Sequence, residues 1–246
     1  MIDLKGKRAL VTGGSRGIGA AIVSALAHSG ADVAFTYRHS EERARTLVRH
    51  IEQQGRRAIA IQADGADPEA IARSVREAVS TLGGIDVLVN SAAIGHSGLI
   101  ADLDLADYQT LMDTNVRAPV LFSKAVIPHL GEGGRIISIG SGLAERVPFP
   151  GVTAYAMTKA ALLAFTRGLS RELGPKGITV NIVHPGSTDT DANPADGPAA
   201  DFQRGMTSLG RFARPEEIAN AVVFLASPAA SVITGASLVA DAGAIA

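Results

Sequence analysis

The 246-residue sequence contains no cysteine. That absence rules out a disulfide framework and any zinc site built on thiolates. The sequence also lacks an excess of either charge: 23 Lys and Arg stand against 24 Asp and Glu, a net of −1 at pH 7. Without a basic or acidic block, broad electrostatic binding to nucleic acid or to an anionic membrane is not expected. No run of about 20 apolar residues is there to span a bilayer. The opening stretch Met1-Ile2-Asp3-Leu4-Lys5-Gly6-Lys7 lacks the long apolar region of a secretory signal. Metal ligation is poorly supplied as well. The histidines His28, His39, His50, His96, His129 and His184 share no ligand spacing with one another or with a carboxylate on one helix face. These absences point to a soluble, cytoplasmic protein with a small-molecule partner and no metal, nucleic acid or membrane.

What is present is apolar and periodic. Hydrophobic residues make up 46% of the chain, enough for a sizeable core. Strand patterns run over Arg8–Val11, Ala31–Tyr37, Ala58–Gln62, Ile85–Val89, Arg135–Ile139, Ile178–Val183 and Ser237–Ala240. Helical patterns lie between them at Ala20–Ala27, Glu41–Gln54, Pro68–Leu82, Leu105–Leu130, Val152–Leu173 and Pro215–Ala226. The long Leu105–Leu130 helix is expected to bend or end near Pro128. Continuous apolar strands alternating with helices imply an α/β fold: a Rossmann-type, doubly wound parallel sheet of about seven strands with helices on both faces. No linker is visible, so residues 1–246 read as a single domain. One segment breaks the rhythm. Gly186 to Thr207 holds Pro194, Gly197, Pro198, Gly205 and four aspartates. It reads as a lid over a ligand, at about 186–210.

The first strand runs into Val11-Thr12-Gly13-Gly14-Ser15-Arg16-Gly17-Ile18-Gly19 and then into a helix. Glycines let the backbone take positive φ and approach a ligand closely. The helix beyond offers unpaired N–H groups and the positive end of its dipole to a phosphate. The spacing is Gly-x-x-x-Gly-x-Gly, not the common dinucleotide Gly-x-Gly-x-x-Gly. Alone it signals little more than a tight turn. At the carboxyl end of the first strand of a doubly wound sheet it reads as a phosphate cradle.

Of the three tyrosines, only Tyr155 has a lysine four residues on, at Lys159. In a helix the two share a face. An ammonium beside a phenol favours the phenolate and lowers its pKa toward working pH, where general acid–base catalysis is efficient. Tyr155 is thus the candidate proton donor to a carbonyl oxygen, or acceptor from an alcohol. The plain alternative is a packed tyrosine and a solvated lysine. Ser141 lies just past the strand Arg135–Ile139, placed to hydrogen-bond a substrate oxygen. Ser138, inside the strand, is its rival, and a serine bonding its own turn is the plain reading.

Thr12-Gly13-x-x-x-Gly17-Ile18-Gly19, Ser141, Tyr155-x-x-x-Lys159 and Pro185-Gly186 together resemble the short-chain dehydrogenase/reductase family over essentially the whole chain. The nearest flavour is the 3-oxoacyl-carrier-protein reductase group with its carbonyl-reductase relatives. Two departures stand out: Asn90-Ser91-Ala92-Ala93 where the family has Asn-Asn-Ala-Gly, and Asp241-Ala242-Gly243 where it has Asp-Gly-Gly.

The resemblance implies a catalytic set of Asn115, Ser141, Tyr155 and Lys159. Lys159 would also bind the ribose hydroxyls, and Asn115 would kink its helix and hold a water in a proton relay. The implied cofactor contacts are Gly13, Ser15, Arg16, Gly17, Ile18 and Gly19 in the turn, Tyr37 and Arg38 after the second strand, and Asp64 at the adenine. Asn90 and Ala92, Tyr155 and Lys159, and Pro185, Gly186, Thr188 and Thr190 at the nicotinamide complete the list. NAD-preferring members carry an acid where Tyr37 and Arg38 stand. Arg38 and Arg16 would instead bind a 2′-phosphate, favouring NADP(H) by roughly 3 kcal/mol if each contributes about 1.5. His96, His184, Glu145 and Arg146 fall near the expected pocket mouth, the histidines reading as structural. The expected function is NADPH-dependent, reversible reduction of a ketone or aldehyde by a homotetramer. An NAD-dependent alcohol dehydrogenase and a non-catalytic nucleotide sensor are the alternatives.

Overall fold

The computed structural model describes residues 2–246. Its strands are β1 (Arg8–Val11), β2 (Asp32–Tyr37), β3 (Ala58–Gln62), β4 (Val87–Asn90), β5 (Arg135–Ile139), β6 (Thr179–Pro185) and β7 (Ser237–Ala240). Its helices are α1 (Gly17–His28), α2 (Glu41–Gln53), α3 (Pro68–Leu82), α4 (Leu105–Met112), α5 (Ala118–Val126), α6 (Thr153–Leu173), α7 (Ala200–Gly205) and α8 (Pro215–Ala226). All seven strands join one parallel sheet in the order β3-β2-β1-β4-β5-β6-β7.

Side chains alternate across each strand, so β1 to β6 feed two cores, while β7 at the edge adds Leu238 and Ala240 to one. Val11, Val33, Phe35, Val89, Ile137 and Val183 enter one core, with Ile22, Val23 and Leu26 of α1 and Ile218 and Val222 of α8. Leu10, Ala34, Leu88, Ile136 and Val180 enter the other, with α3, α5 and α6. Both faces are covered, which is why the strands read as continuous apolar runs. The strand order reverses between β1 and β4. There the connections leave in opposite directions and open a crevice at the carboxyl ends.

The structure departs from the sequence reading in two places. The long Leu105–Leu130 helix is three pieces: α4, a π turn over Asp113–Arg117, and α5, which gives way to a 3-10 turn at Ile127–His129. Pro119 has no N–H to give back, and its ring crowds the carbonyl four residues earlier, so the helix widens just before it. The unperiodic Gly186–Thr207 stretch contains the short helix α7. Six residues are too few for a period to show. Ala200 is its buried anchor, and Phe202 packs edge-on against Phe149, ring centroids 5.6 Å apart. Among the described residues no helix is long and apolar enough to cross a membrane.

Candidate active site

The glycine turn is fixed by lack of room. A Cβ on Gly13 would lie 2.8 Å from Ala92 Cα, one on Gly14 2.6 Å from Phe35 Cβ, and one on Gly19 2.2 Å from the Gly13 carbonyl oxygen. Gly13 and Gly17 also hold positive φ, at 67° and 53°. The helix α1 starts at Gly17 with no side chain capping it and no acid in its first turn. Its first N–H groups therefore face the crevice beside Ser15, Arg16 and Ile18, an arrangement suited to a phosphate. Two threonines brace this turn: Thr12, which the sequence reading quoted in the motif without a role, and Thr36, which it did not single out. The buried Thr12 Oγ1 accepts the Ser91 and Ala92 N–H groups, each at 3.0 Å, and Thr36 Oγ1 accepts Gly13 N–H at 3.2 Å. A polar residue flanking a glycine run between two apolar strands was the available signal.

At the end of β2, Tyr37 is partly buried and Arg38 exposed. Arg38 Nε donates to His39 and stands 3.9 Å from Asp64 Oδ2. Asp64 is not the cap of α3; Asp67 is, accepting Glu69 N–H at 2.9 Å. Asp64 instead accepts Ala66 N–H at 2.9 Å and faces Arg38. Asn90 is buried at the end of β4, its Nδ2 donating to Ser123 and its Oδ1 left without a partner. Ala93 keeps ordinary negative φ, so its methyl is accommodated. Ala242 is the only non-glycine residue at positive φ among those described, at 57°.

Asn115 sits in the π turn, 1% exposed. Its Oδ1 accepts Ile94 N–H at 2.9 Å, while its Nδ2 donates to the Ile94 carbonyl at 2.8 Å and to Thr158 Oγ1 at 3.2 Å. It thus pins the loop after β4 to α6. Ser141 stands beyond β5 in extended backbone and starts a 3-10 turn, its Oγ accepting Leu143 N–H at 3.2 Å. Ser138, its rival, is 0% exposed within β5 and unavailable to a substrate.

Tyr155 and Lys159 share one face of α6. Lys159 is buried, with Nζ donating to the Ile139 carbonyl at 2.9 Å and lying 5.7 Å from the centre of the Tyr155 ring. Burial lowers its pKa to about 8. The expected acidification of Tyr155 by this lysine is not what the structure gives. Burial raises the phenol above its ordinary value, and the nearby Ser141 hydroxyl works against that shift. The reason is geometric. The amine is drawn to a backbone carbonyl, and its own charge is made costly by the same low-polarity surroundings. Tyr155 therefore holds its proton firmly.

Pro185 ends β6, and Gly186 is pressed against Asp241, where a Cβ would come within 2.7 Å of the backbone. Thr188 is buried, its hydroxyl donating to the Gly186 carbonyl at 3.0 Å. Thr190 lies over Gly17, its methyl 3.5 Å from where a Cβ there would stand. Beyond it, Asp191 pairs with Arg43 of α2. His184 does not line the crevice: it is 0% exposed beneath Ser141. Arg146 turns to the chain's end and donates to the Ala244 carbonyl at 3.0 Å.

The family model described as enoyl-(acyl carrier protein) reductase matches residues 13–244. A short-chain dehydrogenase from Burkholderia cenocepacia, crystallised with NADP, superposes with a TM-score of 0.98 at 55% identity over 99% of each chain. The cyclic-di-GMP-binding biofilm dispersal mediator protein of Escherichia coli is 44% identical over 94% of each chain. A 3-oxoacyl-[acyl-carrier-protein] reductase of Staphylococcus aureus is 36% identical over 96% of this chain and 97% of its own. With an uncapped glycine turn at the switch point of its sheet and Tyr155 and Lys159 on one face of α6, the chain belongs to the short-chain dehydrogenase/reductase family of oxidoreductases.

Proposed function

We propose that this oxidoreductase reduces the carbonyl of a small ketone or aldehyde with NADPH, reversibly. The observation that carries the reading is the meeting of Tyr155, Ser141 and Lys159 at the carboxyl ends of β5 and β6. The residues that would hold NADP(H) are the glycine turn with Ser15, Arg16 and Ile18, then Tyr37, Arg38, Asp64, Asn90 and Ala92. Tyr155, Lys159, Pro185, Gly186, Thr188 and Thr190 would hold its far end. The uncapped start of α1 and the orphaned Asn90 Oδ1 support that fit. NADPH supplies a hydride when bound.

The chain's own residues supply the proton. Tyr155, kept un-ionised by burial, is an acid ready to protonate the oxygen as its charge develops. The Ser141 hydroxyl donates to the same oxygen and stabilises it. Lys159, near its own titration point, can pass a proton back toward the phenol. Asn115 keeps α6 and the loop after β4 at a fixed separation. The loop from Ser141 to Tyr155 carries Val147, Pro148 and Phe149, and Phe149 meets Phe202 of α7, so an apolar substrate under a lid at 186–210 fits this rim. Exposed Leu105, Val120 and Met157 support assembly into a homotetramer, which light scattering tests.

The deciding experiment follows NADPH absorbance against a panel of ketones. Tyr155→Phe is expected to lower kcat by about 10²–10⁴-fold while NADPH binding stays within a few-fold. Undiminished turnover removes Tyr155 from the role. Arg38→Ala is expected to cut the NADPH-over-NADH preference by about tenfold, the worth of one charge-assisted bond. The non-catalytic sensor is the second reading, supported by the printed name of the Escherichia coli relative. It predicts NADPH binding with no turnover of any carbonyl.

A further inference from the structure

His184 is the one fully buried histidine, and the proton path described above does not use it. It stands on β6, next to Pro185, with its ring against the backbone of Ser141 on the neighbouring β5 side. One ring atom, Nδ1, lies 3.0 Å from Ser141 N and 2.8 Å from Ser141 O. It can accept from the first or donate to the second. The Ser141 carbonyl already accepts Ala144 N–H at 2.9 Å within its 3-10 turn. The Ser141 N–H has no other acceptor among the described residues. The two contacts compete. A bare Nδ1 serves the part-buried N–H and sets its lone pair against an oxygen that already has a donor. A protonated Nδ1 serves that oxygen twice and leaves the N–H with nothing, so we assign Nδ1 as bare and accepting.

The other end of the ring agrees. With Nδ1 bare, the neutral ring carries its hydrogen on Nε2. Nε2 has no hydrogen-bond partner and lies 3.9 Å from Glu145 Oε1, so a hydrogen there faces a carboxylate and a lone pair would be repelled by it. The charged groups that bear on the ring are Glu145, just after the 3-10 turn, and Lys159 of α6, with opposed effects on its charge. Burial is the largest influence and favours the neutral ring, against the contact with the Ser141 backbone, which favours the charged one. The neighbouring Gly140 completes the fit: a Cβ there would fall 2.4 Å from Nδ1.

We propose that His184 is a positioning residue for the serine: its Nδ1 accepts the Ser141 N–H and fixes the backbone from which the Ser141 hydroxyl reaches the substrate oxygen. The proposal rests on the reading of Ser141 as a group that touches substrate. Asparagine places its Oδ1 where Nδ1 stands, whereas glutamine reaches the Nε2 position and leaves the Ser141 N–H unserved. His184→Asn is therefore expected to keep kcat within about threefold and His184→Gln to lose about tenfold or more, with NADPH affinity unchanged in both. Hydrogen exchange of the peptide spanning Ser141 is expected to quicken about tenfold in the glutamine variant only. Nitrogen-15 spectra of the wild-type ring need no variant and should show a bare Nδ1. A protonated Nδ1, equal losses in both variants, or exchange unchanged in both overturns the proposal. Ser141→Ala, assayed alongside, separates the two readings: normal turnover there sinks the serine's role, while the exchange data still judge His184.

Discussion

The two walls of the crevice are held by different physics. The glycine turn is held by exclusion: Gly13, Gly14 and Gly19 are where they are because nothing larger fits against Ala92, Phe35 and the turn's own backbone. No titratable group is involved in that packing. The opposite wall is held by pairing: Asn115 to Ile94, Lys159 to Ile139, His184 to Ser141. Each pairing buries a polar or ionisable side chain and ties together residues at least 20 positions apart. A wall set by exclusion is indifferent to pH and intolerant of volume. A wall set by pairing also responds to pH, through Lys159.

Lys159→Met tests the paired wall and carries the largest expected effect, a loss of at least about a hundredfold in kcat. Stability should show the opposite sign in a pH-dependent way. The folded-state pKa of Lys159 is about 8, below its ordinary 10.5. Below pH 8 the native protein therefore carries a buried ammonium that the unfolded chain would solvate, and that is a cost. As pH rises through 8 the native state sheds the proton, and by the unfolded value the cost is gone. The Tm of the variant relative to wild type should thus improve as pH falls from about 10 to 7. A pH-independent difference would deny the lysine its burial cost.

Gly14→Ala tests the excluded wall. Its methyl would overlap Phe35 and Val23, at an expected cost of about 1–3 kcal/mol, read as a lower Tm at every pH, with weaker NADPH binding. A Tm that recovered with pH would blur the contrast between the walls. The smallest effect runs the other way. Ala242 holds φ 57°, where a side chain crowds its own carbonyl. Ala242→Gly should stabilise by about 0.5–1 kcal/mol, a Tm rise of a few degrees. No gain would mean that the bonds from Asp241 to Gly243 and Ile245 already absorb the strain.

The exclusion-built part was the more legible in the sequence. Glycine spacing after an apolar strand, and a tyrosine with a lysine four residues on, are local patterns, and local patterns survive without coordinates. The parallel direction of the strands followed from the strand–helix alternation; their order came only with the structure. The π turn did not show, because a one-residue widening leaves the apolar stripe of Leu111, Ala118, Phe122 and Val126 nearly helical to the eye. Nor did the partner of Asn115 or of His184, since the spacing between residues says nothing about which strand will lie next door. The shift of Tyr155 was misjudged for a related reason. The sequence supplies the neighbouring amine but not the carbonyl of Ile139 that draws it away. Of the two alanines that replace glycines in the family pattern, both looked alike on paper, and only the backbone angles show that Ala242 is strained and Ala93 is not.

The widened turn at Asp113–Arg117 has a consequence for how this part of the chain tolerates change. A π turn absorbs one surplus residue locally and leaves the rods on either side in phase, so deleting one residue there would close it to an ordinary α turn without dislodging either rod. What would go is the outward step that carries Asn115 to Ile94. The scaffold is thus insulated from the length of the very segment that aims Asn115 at Ile94.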